Sequence, residues 1–176
     1  PVVLNTIFIG FTATLIIILL AFFSASSAFF SKNRALVIIY NIAATGYALP
    51  GTMLAIGVVI FFGFLDKFTG NIVFLGGTIY GVIFALTVRF YAVPYGGVIS
   101  GYSRLPSNLF DASKSLGYSK ISTSFKITLP LIRTSIIAAA ILTFVDIVKE
   151  LPMTLILRPF NFETLATYTY QFAHDE

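Results

Sequence analysis

Apolar positions run through this chain in long unbroken blocks, not in the alternation of a half-buried strand or the stripe of a surface helix. Residues 1–31, 35–65 and 68–88 carry no charge, and each block reaches the roughly 20 residues a helix needs to cross hydrocarbon. A fourth block holds Arg133 near one end and Asp146 and Lys149 near the other, with only apolar or hydroxyl residues from 134 to 145. Charges at the ends of a span can reach the interface. The pattern therefore predicts an all-α polytopic membrane protein with four transmembrane helices, at about 2–30, 36–64, 72–91 and 131–151. The first shows no polar stripe beyond Thr and Ser and reads as a lipid-facing or packing helix. In the second, Ala48-Leu49-Pro50-Gly51 predicts a kink or break, because proline removes a backbone hydrogen bond; in transporters such breaks often lie beside the substrate path. Gly77 and Gly81 in the third have the small-xxx-small spacing that lets another backbone come close. Tyr91, Tyr95 and Tyr102 suit the headgroup level of a bilayer.

Composition agrees: 57% hydrophobic and 10% charged residues, with mean hydropathy +0.94, exclude an ordinary soluble domain. Four crossings create alternating flanks, and the charges sort between them. Lys32, Arg34, Arg89, Arg104, Lys114, Lys120, Lys126 and Arg133 fall on one side. Lys67, Lys149 and Arg158 fall on the other, with Asp66, Asp146, Glu150, Glu163, Asp175 and Glu176. By the positive-inside rule the turn at 30–35 and the loop at 91–130 are cytoplasmic, and both chain ends lie outside. The net charge of +4 is then topological and implies no nucleic-acid partner, since the basic residues are spread along edges and not interleaved with stacking aromatics. Cysteine is absent, which excludes disulfides and thiolate metal sites. Pro1 opens directly into an apolar run without an initiator Met or the basic start of a signal peptide, so the chain reads as a fragment.

Between Pro94 and Pro130 small, hydroxyl and basic residues replace the apolar runs, yet Leu105, Leu109, Phe110, Leu116, Phe125 and Ile127 persist. This predicts short amphipathic helices. One starts near Ser107 or Asn108, either of which can cap free amides, and stops at Gly117. A second runs from about Ser119 to Lys126 before Pro130 opens the fourth span.

These residues resemble the EAA loop of ABC importer permeases, a Glu-Ala-Ala triplet followed at fixed spacing by Gly and by Ile-x-Leu-Pro. Here the positions are Asp111, Ala112, Ser113, Gly117, Ile127, Leu129 and Pro130, with Asp for the usual Glu and Ser for the second Ala. The resemblance implies a cytoplasmic helix-turn-helix coupling loop, 94–130, that docks on an ATP-binding subunit and passes its motion to the membrane helices. The outer segment, 152–176, and the residues before it contain Lys149-Glu150-Leu151-Pro152-Met153-Thr154 and Leu157-Arg158-Pro159-Phe160-Asn161-Phe162. With Gly46 to Gly51, these are similar to stretches of ferric-iron importer permeases.

That resemblance implies one permease domain of a bacterial inner-membrane importer, of which this chain would be most of the second half. Its expected partners are ABC ATP-binding subunits, a periplasmic binding protein, the remainder of the permease and the bilayer. ATP and Mg would be held by the partner subunit and no cofactor by this chain. Phosphonate, thiamine or polyamine cargo is the alternative, because the loop reads the ATPase and not the cargo; a secondary transporter is a further one. No Gly-x-Ser-x-Gly, Cys nucleophile, His cluster or phosphate-binding Gly-Lys-Ser/Thr motif points to an enzyme. For cargo, a highly charged cation wants carboxylate oxygens. Asp146 and Glu150, four apart at the outer end of the fourth span, either line the mouth of the path or pair with Lys149 or Arg158 to shape the outer loop. No metal site is established, and His174 is assigned no role.

Overall fold

The computed structural model describes residues 1–31, 33–69 and 76–175; Lys32, the opening of the expected third crossing at 72–75, and Glu176 lie outside them. The described residues form helices and turns only: α1 (Val2–Ser31), α2 (Arg34–Ala43) running into a 3-10 turn (Ala44–Ala48), α3 (Gly51–Phe68), α4 (Ile79–Phe90), α5 (Ala92–Ser103), α6 (Ser107–Ser115), α7 (Lys120–Thr123), a π turn (Ser124–Thr128), α8 (Leu129–Val148), α9 (Pro152–Leu157) and α10 (Leu165–Asp175). Among the described residues three helices are long and apolar enough to cross a membrane, Val2–Ser31, Gly51–Phe68 and Lys120–Val148. A fourth is reached if α4 and α5, bent by 45° at Tyr91, count as one.

α1 is central. It packs against α4, α5 and α8 through a face on which Ala13, Ile17, Ala21 and Ala25 are fully buried. Their four-residue spacing puts them in one row, and at the three alanines the neighbouring backbones can come close. Gly97 and Gly101 do the same on α5: a β-carbon on them would stand 3.1 Å from that of Ala139 and 3.0 Å from that of Ile132 on α8. The expected pair Gly77 and Gly81 does not work this way. Gly77 lies outside the helix at φ 67° with open space around it, and Thr78 caps α4 by accepting from Gly81 N.

The expected kink at Pro50 is a full break, with Leu49 and Pro50 extended between the 3-10 turn and α3. At the third crossing helix continues past 91 to Ser103, so Tyr91, Tyr95 and Tyr102 are not headgroup anchors but buried rings. Burial requires the hydroxyls to find partners: Tyr91 meets Ser24 at 2.5 Å and Tyr102 meets Ser26 at 2.6 Å.

Candidate functional site

The loop residues singled out by sequence form a compact corner at one end of the bundle. α6 starts after Pro106, which takes the cap position in place of Ser107 or Asn108 and leaves no side-chain cap. It ends in two nested backbone bonds, Gly117 N to Lys114 O at 3.0 Å and Tyr118 N to Ser113 O at 3.1 Å. This closure needs the left-handed φ of 80° at Gly117. Ser119 then caps α7 through Ser122 N. α7 does not stop at Lys126: the π turn joins it to α8 as one helix, Lys120–Val148, with Leu129 N bonded to Ser124 O. The widened turn makes room for Pro130, whose ring would press on the carbonyl four residues back and which has no N–H to give.

Within the triplet, Ser113 is buried and its hydroxyl meets that of Thr123 at 2.5 Å, locking α6 to α7. Asp111 and Ala112 face outward. Phe110 sits 4.9 Å from Phe29 and 5.6 Å from Phe30, ring to ring. α6 thus touches α1 through Phe110 and α7 through Ser113. Around the turn Leu116 and Ile121 stay 76% and 73% exposed, with Tyr118 beside them. Such an apolar rim around a tight turn suits a protein partner. Ile127 and Leu129 are half-buried and belong to the helix interior.

A second constellation forms where three helix interruptions meet. Arg89, at the α4–α5 bend, was sorted by its charge to a cytoplasmic edge; instead its Nε lies 3.6 Å from Glu150 Oε2. Arg89 Nη1 also donates to Leu49 O at 3.2 Å, in the Pro50 break. Glu150, 8% exposed, follows the end of α8, and its Oε1 accepts from Met153 N at 3.2 Å at the start of α9. Glu150 therefore pairs with neither Lys149 nor Arg158. Lys149 binds Asp146 at 2.8 Å, and that hydrogen bond holds the lysine ammonium above its ordinary pKa. Arg158 binds Glu163 at 2.7 Å.

Asp146 and Glu150 do share one pocket, with Tyr47, Arg89, Phe90 and Lys149. Tyr47 and Arg89 escaped the sequence reading. The available signal was an arginine at the end of an uncharged block, since an ionisable group that falls within a membrane helix is functional by default.

Several apolar spans, an exposed helix-turn-helix at one end and a charged junction at the helix breaks fit a membrane transport component. The chain belongs to the family of binding-protein-dependent transport system inner membrane components, whose profile matches residues 17–172. Two curated relatives, the spermidine/putrescine transport system permease protein PotC homologs of Mycoplasma genitalium and Mycoplasma pneumoniae, are each 28% identical to it over 96% of its length. The chain spans 58% and 57% of their lengths. Both carry a polyamine name where the sequence resemblance implied ferric iron.

Proposed function

We propose that this chain forms part of the translocation path of an ATP-driven ABC importer in the bacterial inner membrane, and that its cargo is a small organic polycation of the polyamine class. A periplasmic binding protein delivers the cargo to the end of the bundle that carries the α9–α10 segment. At the other end the α6–α7 corner docks on an ATP-binding subunit, which holds ATP and Mg. ATP-driven motion of that subunit moves α6, and Phe110 and Ser113 carry it to α1 and to the long α7–α8 helix. The observation that carries the cargo is the polyamine-permease likeness over nearly the whole chain, joined to a pocket in which Asp146 and Glu150, each held by a cation the cargo would displace, stand beside Tyr47 and Phe90. Carboxylates and ring faces are the chemistry that holds alkylammonium groups. Ferric iron is the second reading, favoured by the same two carboxylates as hard oxygen donors.

The test is uptake into vesicles holding the full-length importer, given its binding protein and internal ATP, with labelled spermidine and ferric iron offered in parallel. ATP-dependent spermidine uptake is expected, reduced about tenfold in Asp146→Asn, the loss of one charge-assisted contact. Lys149, the partner of Asp146, is 68% exposed, so the variant leaves no buried charge unpaired. Ferric iron uptake with no spermidine uptake would overturn the polyamine reading.

A further inference from the structure

Three interrupted elements are tied together by two side chains. The Arg89 guanidinium holds the Leu49 carbonyl of the α2–α3 break. The Glu150 carboxylate holds the first turn of α9, and the two charges face each other across the junction. Gly51 opens α3 between them: a β-carbon there would lie 2.6 Å from Arg89 Nη1 and 2.8 Å from Glu150 Oε1. The pair is close but not clasped, for at 3.6 Å Arg89 Nε makes no hydrogen bond. Attraction between largely desolvated charges is strong and falls with separation, while the missing hydrogen bond lowers the cost of parting them. Breaks in helices are where backbone can rotate with few bonds lost, and here all three breaks share one fastening.

Resting on the importer reading above, we propose that Arg89 is the gate residue of the path. Its guanidinium sits on Glu150 as a tethered cation and latches the α2–α3, α4–α5 and α8–α9 junctions in the resting state. Opening requires Arg89 and Glu150 to part, which frees the carboxylate toward the pocket shared with Asp146 and Tyr47. Arg89 is thus a positioning residue that sets when the carboxylate meets cargo. An importer without the latch would cycle without being told to.

The experiment measures ATP hydrolysis by the full-length reconstituted importer, with and without its binding protein, for wild type, Arg89→Gln, Glu150→Gln, their double variant, and Gly51→Ala. Gly51→Ala keeps both charges but displaces the Arg89 Nη1 and Glu150 Oε1 ends that its β-carbon would meet. The unstimulated rate is expected to rise on the order of tenfold in each single variant, the scale of a coupling of about 1.4 kcal/mol. The double variant should rise no further, because both changes remove one interaction. Should the neutralised variants fail to assemble, Gly51→Ala decides alone: a raised unstimulated rate supports the latch, and a wild-type rate overturns it. Unstimulated rates at the wild-type level in all singles, or additive rises in the double variant, would also overturn it. A wild-type importer that hydrolyses no ATP with its binding protein present would defeat the importer reading itself, a result distinct from an unlatched but stimulable enzyme.

Discussion

Gly46→Ala is expected to destabilise the purified protein by about 3 kcal/mol, the upper range for forcing extra volume into a packed site. Gly46 sits in the 3-10 turn that follows α2, buried against α4. A β-carbon there would fall inside contact distance of the Val88 carbonyl oxygen. Both partners are backbone, so no side chain can swing aside, and relief requires moving the whole 3-10 turn away from α4. That movement also pulls Leu49 off Arg89 and Tyr47 off Phe90, two contacts that hold the junction. Gly57→Ala is the control. Gly57 lies within α3 with nothing near its missing β-carbon, and alanine there should gain about 0.5–1 kcal/mol from helix propensity. Thermal unfolding of the two variants in detergent should move in opposite directions; equal midpoints would contradict the packing described for Gly46.

Leu116→Asp combined with Ile121→Asp is expected to weaken capture of the ATP-binding subunit at least about 100-fold, the scale of losing two apolar anchors from the centre of an interface. Both side chains are exposed, so the fold itself should not suffer. The turn they flank is held by backbone bonds and by Ser113 to Thr123, none of which the substitutions touch. Co-purification should therefore fall while thermal stability stays at the wild-type level. A variant that unfolds, or one that still binds its partner with full affinity, would show that this rim is not the docking surface.

Much of this architecture was legible because apolar blocks report on lipid directly. α1 coincides with the first uncharged block, and α8 overlaps the fourth block, although its helix begins earlier, at Lys120. The turn at Gly117 was legible too, since a short amphipathic run ending in glycine before a capping Ser119 allows little else. The charged junction was not legible. Arg89 stands at the edge of an apolar block, where charge normally means the membrane interface. Its placement depends on helix continuing through 92–103, where three Gly, two Ser and Pro94 interrupt the apolar residues and read as loop. Pro94 hides there without harm because the first turn of a helix has no use for its N–H. The ion pair of Glu150 with Arg89 joins residues far apart in sequence, and no local pattern announces it. Gly77 shows the converse error: spacing from Gly81 suggested packing, but spacing has that meaning only when both residues lie in one helix.

Contact between the α6–α7 corner and an ATP-binding subunit can be read out with a single cysteine. The chain has no cysteine of its own, so Leu116→Cys in the full-length subunit gives one thiol at the turn. The assembled importer should form a short-range cross-link from that position to the ATP-binding subunit, with a yield that changes when ATP is added. A control cysteine at Phe160, beyond α9 and fully exposed, should form none. Cross-linking to that subunit from Phe160→Cys and not from Leu116→Cys would contradict the orientation and the coupling role together.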